Sequence, residues 1–235
     1  MSSSEVSRLS RRFSLLTVAN AKTTKGMAKG YATAILYLAP AWESGRNTCA
    51  KHTTECAAAC LYESGKGVFQ NVKDARLRKT RMFFEERAKF LDILDKDIEQ
   101  FAANAADLGY EPVIRLNGTS DIRWEKYGVP QRHPRRTLYD YTKLNNRKDL
   151  PPNYHLTFSY SGDNLADCMI ALANDINVAV PFMKPPKTWL GYPVVDGDED
   201  DLRFLNNETC VLALKPKGKL RSQPHSKFLG DNWAA

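Results

Sequence analysis

Apolar and polar positions along the chain follow two rhythms. Residues 31–38 (YATAILYL) are rich in β-branched and aromatic side chains and predict a buried strand. Pro40 and a cysteine-containing segment follow as loop. From about residue 72 to 107 the period changes. Phe84, Leu91, Leu94, Ile98, Phe101, Ala105 and Leu108 recur at intervals of 7, 3, 4, 3, 4 and 3, with charges between them. This is the stripe of one long helix, with a break near residues 84–87 as the alternative. Gly109 supplies its stop. Short extended segments come next, at 112–116, 137–141, 154–160, 177–180, 192–195 and 210–214. A further helix is expected over 164–174, with Asp163 as its N-cap.

Strands alternating with helices imply parallel pairing through right-handed crossovers. The expected class is α/β, an incomplete or distorted (β/α) barrel of mostly parallel strands, with a doubly wound open sheet second. One domain is expected over residues 16–215, between a basic arm at 1–15 and a basic tail at 216–235.

Several strands run into polar clusters: Asn117-Gly118-Thr119-Ser120-Asp121, Thr142-Lys143, Ser159-Tyr160-Ser161-Gly162-Asp163 and Asp196-Gly197-Asp198. Ligands of α/β folds bind at the C-terminal ends of strands. Asn117, Ser120 and Asp121 are therefore candidate cofactor contacts, with Ser159, Ser161 and Asp163 on the opposite rim. Asp121, Tyr139 and Lys143 are the candidate catalytic groups. Tyr139-x3-Lys143 also has the form of a DNA-nicking tyrosine with its lysine. The two-histidine metal motif of such enzymes has no counterpart, because His52, His133, His155 and His225 all stand singly. Core packing of Tyr139 and Tyr141 on one strand face is the competing reading.

Composition narrows the class. Of 235 residues, 43% are hydrophobic and 26% charged, as in ordinary globular domains rather than disordered, collagen-like or coiled-coil chains. The longest apolar run, 31–42, is about twelve residues, short of the roughly 20 that a membrane helix needs. The N-terminus lacks the apolar core of a secretory signal, so a cytoplasmic protein without a membrane span is expected.

The net charge of +7 is unevenly spread. Residues 1–30, 115–148 and 215–227 are basic, while 196–208 carry six acids against Arg203. Basic clusters attract phosphate-bearing partners. Lys22, Lys25, Arg115, Arg123 and Arg147 are the candidate phosphate contacts, and a nucleotide or nucleic acid the candidate partner. Trp42, Trp124, Trp189 and Trp233 can stack on bases, although packing is their default role. The acidic run suits either a hard cation or a helix N-terminus.

Three of the five cysteines fall in Cys49-x6-Cys56-x3-Cys60. An odd count without a signal points to a reducing compartment. Thiolates select zinc and iron–sulfur clusters, and His52 can complete a four-ligand zinc site. Buried thiols on a helical turn, without metal, are the third possibility.

Three cysteines on the loop after the first strand resemble radical S-adenosylmethionine enzymes. That resemblance implies a four-iron cluster with one iron open to S-adenosylmethionine. The spacing departs from the common x3 then x2, and Asn117-Gly118-Thr119-Ser120-Asp121 stands where a Gly-Gly-Glu motif is expected. A closer resemblance covers most of the chain. Asn20-Ala21-Lys22-Thr23-Thr24-Lys25-Gly26, Leu38-Ala39-Pro40-Ala41, Cys56-Ala57-Ala58-Ala59-Cys60-Leu61-Tyr62, Gly65-Lys66-Gly67, Ala75-Arg76-Leu77-Arg78-Lys79-Thr80, Arg115-Leu116-Asn117-Gly118-Thr119-Ser120-Asp121 and Tyr139-Asp140-Tyr141-Thr142-Lys143 carry it. These are similar to the "gene product eighty-eight" proteins of tailed phages and prophages. The likeness implies a phage origin and a metal–sulfur site without supplying a reaction. The expected function is radical S-adenosylmethionine-like or related redox chemistry on a nucleotide or nucleic acid. The alternatives are a nucleic-acid-binding or replication protein with structural zinc, and a nicking enzyme using Tyr139.

Overall fold

The computed structural model describes residues 8–9, 13–18, 21–60, 62, 64–206 and 208–232. Trp233 and the side chain of Lys22 lie outside the described residues. Among these residues nine strands form one mostly parallel sheet: β1 (Leu16–Thr17), β2 (Tyr31–Leu36), β3 (Glu111–Arg115), β4 (Thr137–Thr142), β5 (Tyr154–Ser159), β6 (Val178–Pro181), β7 (Thr188–Trp189), β8 (Tyr192–Asp196) and β9 (Val211–Leu214). Their spatial order is β1-β2-β3-β4-β5-β6-β9-β8-β7, and the sheet is open, with β1 and β7 at its edges. β2 through β6, β9 and β8 are parallel; β1 and β7 pair antiparallel. No helix is long and apolar enough to cross a membrane among the described residues.

Among the described residues, six α-helices accompany the sheet: α1 (Ala21–Met27), α2 (Thr54–Ala58), α3 (Gln70–Glu85), α4 (Arg87–Ala106), α5 (Val129–Arg132) and α6 (Leu165–Ala173). The stretch expected as one long helix is two. At Glu86 the backbone leaves the helical region, with φ −126° and ψ 49°. The buried stripe runs through Thr80 and Phe83 on α3 and then, seven residues on, through Phe90, Leu94, Ile98, Phe101 and Ala105 on α4, so Phe83 and Phe90 rather than Phe84 and Leu91 face the sheet. Phe83, Phe90 and Trp124 meet, with ring centroids 5.3–6.3 Å apart. α4 ends in a Schellman turn: Tyr110 N donates to Ala105 O, Gly109 N donates to Ala106 O, and Gly109 takes φ +77°. The N-cap of α6 is Asn164, not Asp163. Asn164 turns inward, its Oδ1 accepting from Ser161 N at 2.7 Å.

Because β2 to β6 follow one another in space, their crossovers wind one way and leave the long helices on one face. That face carries Ala34, Ile114, Leu138 and Tyr154 in register, under α3 and α4, and Phe158, Val178 and Val211 under α6. The other face carries Arg115, Tyr139, Tyr141, Thr157, Ser159 and Ala179. It is covered by the acidic segment, whose Leu202 packs with Val113 and Tyr139.

Both ends of the chain contribute to the packing. Leu9 and Leu15 are buried, and Asp97 on α4 accepts from the backbone N–H groups of Ser14, Leu15 and Leu16. Near the C-terminus Leu220 and Leu229 are buried, and Tyr160 OH donates to Lys227 O at 2.9 Å.

Candidate functional site

The C-terminal ends of the parallel strands surround a cavity of about 210 Å³. Cys49, His52, Cys56 and Cys60 line it from the loop after β2, and Asn117 through Asp121 from the loop after β3. Lys143, just after β4, and Ser159, Pro181 and Leu214, the last residues of β5, β6 and β9, line it from the sheet. Leu220 and Phe228 close it from the C-terminal segment.

The cysteine loop is pinned to its neighbours. Thr48 O accepts from Asp121 N at 2.8 Å, and Thr48 Oγ1 donates to Ala39 O at 2.7 Å. Thr53 caps α2, its Oγ1 accepting from Cys56 N at 3.0 Å while donating to Ser161 O at 3.0 Å. Cys49 Sγ lies 3.7 Å from Thr119 O. His52 Nδ1 lies 2.8 Å from Cys49 O. Burial pushes the Cys49 thiol up and the Cys60 thiol up to about 11. Among the described residues no group of three His, Cys, Asp or Glu side chains is drawn together as a metal site.

Two cations flank the thiols. Burial opposes the charge of Lys143, but the Cys56 thiol, Asp121 and Cys49 outweigh it and raise the ammonium above its ordinary value. Arg76 on α3 is 8% exposed and sits over the rings of Tyr37 and Tyr62, with Cys60 nearby. Its Nε and Nη1 find no hydrogen-bond partner among the described residues.

The loop after β3 is built around Asn117. Asn117 N donates to Asp140 Oδ1 at 2.6 Å, and Nδ2 donates to Ile122 O at 3.0 Å. Asn117 Oδ1 accepts from Ser120 Oγ, Ile122 N and Trp124 Nε1 at 2.9–3.1 Å. Burial pushes the Asp140 carboxyl up to about 7, against the hydrogen bonds from Tyr154 and Asn117 N. Asp121 accepts from Thr142 Oγ1 and Lys143 N, both at 2.8 Å. Gly118 passes so close to β2 that a Cβ there would lie 2.5 Å from the Tyr37 ring.

Of the residues singled out from the sequence, Cys49, Cys56, Cys60, Asn117, Ser120, Asp121, Lys143, Ser159 and Arg115 share this cavity. Ser161 and Asp163 are outside its lining and bond to each other, Oγ to Oδ1, at 3.2 Å. Tyr139 is fully buried behind it, its OH donating to Asp201 Oδ2 at 3.2 Å.

Those of the expected phosphate contacts whose side chains are described are dispersed and engaged. Arg115 pairs with Asp201 at 2.8 Å, and Arg147 grips Glu125 through two bonds. Arg123 bonds Asn146, and Lys25 Nζ reaches Asp198 O. Lys29 bridges Glu199 and Asp200. The acidic run is thus neutralised by basic segments distant in sequence. The basic groups that do line the cavity include Lys215 and Lys217 of the basic stretch 215–227, and Lys51, which no motif marked. Trp124 and Trp189 are buried in the cores, and Trp42 is 61% exposed.

No curated protein and no solved structure matches the chain. The sequence model of the Gene product 88 family matches residues 14–230, and the chain belongs to that family.

Proposed function

We propose that the chain is an iron–sulfur protein in which Cys49, Cys56 and Cys60 hold a four-iron cluster. It carries out radical S-adenosylmethionine-like or related redox chemistry on a nucleotide or nucleic acid. The observation that carries the reading is the convergence of three thiols on one cavity, at the C-terminal ends of sequentially ordered parallel strands. That arrangement is what an incomplete (β/α) barrel offers a ligand. The donor set fits the group. Thiols are the preferred ligands of iron–sulfur clusters, and buried Arg76, whose Nε and Nη1 have no hydrogen-bond partner among the described residues, supplies positive charge with Lys143 against thiolates. When bound, the cluster supplies an electron and a coordination position for a small molecule such as S-adenosylmethionine. The chain's own residues position and shield. Asp121 holds the backbone of Lys143, Asn117 shapes the loop, Ser120 and Ser159 offer hydroxyls, and Leu220 and Phe228 exclude water.

One observation favours a second reading, structural zinc on Cys49, His52, Cys56 and Cys60. Metal-binding histidines commonly give their second ring N–H to a backbone carbonyl. The His52 Nδ1 contact with Cys49 O leaves Nε2 for a metal. Anaerobic purification with iron, sulfide and zinc assays and a visible spectrum separates the two. A brown protein with matching iron and sulfide, lost in Cys56→Ala, is expected. A colourless protein carrying one zinc, lost in His52→Ala, would overturn the cluster.

A further inference from the structure

The cavity is divided by chemistry. Ala179, Pro181, Leu214, Leu220 and Phe228 make an apolar wall, contributed by β6, β9 and the C-terminal segment. Lys51, Lys143, Lys215 and Lys217 line it from the cysteine loop, the end of β4 and the residues after β9. Among the described residues, Lys51, Lys143 and Lys215 have no carboxylate oxygen within ion-pair distance of their ammonium groups. Lys217 shares Asp198 at 3.2 Å. The lining carboxylate, Asp121, is occupied by Thr142 and Lys143 N and faces Arg147 at 4.0 Å. Arg115 is balanced by Asp201.

We infer that this cavity binds a nucleoside polyphosphate, its base and sugar against the apolar wall and its phosphates on Lys51, Lys215 and Lys217. This rests on the reading of the cavity as the functional site. Lys143 already faces Cys56, Asp121 and Cys49, so the lysines left to a ligand are Lys51 and Lys215, with Lys217 shared. A single carboxylate would leave net positive charge there, whereas a di- or triphosphate can meet all three. The apolar wall excludes a bare inorganic anion as the whole ligand. The size argues for a compact molecule. At about 210 Å³ the cavity is below the roughly 300 Å³ of sites for drug-sized ligands. It can enclose a base while the phosphates meet the exposed Lys51 and Lys215 at its mouth. A free nucleotide is favoured over a strand, because the cavity is small and Asp201, bonded to Arg115 and Tyr141, covers the sheet face below.

The test is equilibrium binding of ATP, dATP, tripolyphosphate and a 5′-phosphorylated oligonucleotide to the full chain at fixed salt. Each is measured with the metal chelated away and after anaerobic reconstitution. Saturable ATP or dATP binding is expected, at least tenfold tighter than tripolyphosphate. Lys51→Ala and Lys215→Ala should each weaken it by about tenfold, the scale of one charge-assisted hydrogen bond. The exposed Lys126→Ala, which removes the same charge elsewhere, should leave affinity unchanged. The inference is overturned if neither nucleotide saturates, if Lys126→Ala weakens binding as much as the cavity variants, or if the oligonucleotide binds more tightly. Nucleotide binding to a protein that takes up no iron would sink the cluster alone. Iron uptake without nucleotide binding would sink this inference alone.

Discussion

Replacing Asn117 by alanine tests whether this residue builds the site or binds its ligand. Its side chain is 2% exposed and makes every contact within the protein. Asn117→Ala strips the acceptor from Ile122 N, Trp124 Nε1 and Ser120 Oγ. A buried donor without a partner costs about 1–3 kcal/mol. The Ser120 hydroxyl can rotate to another acceptor, so two donors carry the loss. With the donor that Asp140 also loses, the expected destabilisation is about 3–5 kcal/mol. That is a large part of the roughly 5–15 kcal/mol that holds a typical domain together. Urea unfolding of the full chain reads the change from the midpoint at constant slope. Ser120→Ala, which deletes one donor and leaves none stranded, should cost under about 1 kcal/mol. If Asn117→Ala lies within about 1 kcal/mol of wild type, the loop is not held by this side chain, and the reasoning fails.

Other substitutions probe the frame around the site. Gly118→Ala drives a methyl to 2.5 Å from Tyr37 and 2.8 Å from Leu36 O and should cost about 1–3 kcal/mol by overpacking. Gly109→Ala meets nothing within 4 Å but must hold φ +77°, so its loss should be about 1 kcal/mol and leave any ligand affinity unchanged. Asp201→Asn leaves the Arg115 charge buried, with side chains 10% and 3% exposed, and should cost about 3 kcal/mol or more. Adding Arg115→Met should restore much of it, and a double variant no more stable than Asp201→Asn would refute the pairing. His133 meets Glu99 through Nδ1 at 2.6 Å and Asp95 through Nε2 at 2.9 Å, with Arg132 and Arg136 on the same carboxylates. Burial opposes its charge, but those two hydrogen bonds prevail and raise its pKa. A raised histidine stabilises fully below its unfolded pKa, near 6.5, and the gain is lost as pH climbs through the folded value. Melting temperature should therefore fall between pH 6 and 8. Asp140, pushed up to about 7, acts in the same direction below that pH, so the difference between wild type and His133→Gln isolates the histidine. A flat difference curve would remove the imidazolium.

Much of the fold is legible in one dimension because its signals are local. The strands at β2–β6, β8 and β9 each fall on an apolar run that the sequence displays. β1 and β7 are two residues each, too short to show a period, and exist only through pairing with β2 and β8. The break at Glu86 keeps the buried positions Phe83 and Phe90 seven residues apart, so the periodicity alone reads as one helix and leaves the break near 84–87 as the alternative. The rim is legible for the same reason as the strands: Asn117, Asp121, Lys143 and Ser159 follow directly on apolar runs. Charge behaves differently. Lys25, Lys29 and Arg115 lie in basic stretches, yet meet Asp198, Glu199, Asp200 and Asp201 from a segment at least 86 residues away. A linear cluster counts charges without their partners, so it selects residues that tertiary pairing has already used.

The winding of the sheet explains why the remaining charge gathers where it does. Sequential parallel strands put α3, α4 and α6 on one face and leave the other without a helical layer. An α/β sheet cannot leave that face open to water. Here the acidic segment fills it, and inserting its carboxylates requires Arg115, Tyr139 and Tyr141 as buried partners. Those partners occupy the middle of the face and confine open space to the strand ends. There the cysteine loop, the loop after β3 and the C-terminal segment converge. Among the described residues, Lys51, Lys143 and Lys215 have no carboxylate within ion-pair distance, while Lys217 shares Asp198 with the run below. The same covering that closes the sheet therefore leaves a cationic, thiol-lined cavity at its rim. A chain that lost the covering, as in Asp201→Asn, should lose that cavity's charge pattern along with its stability.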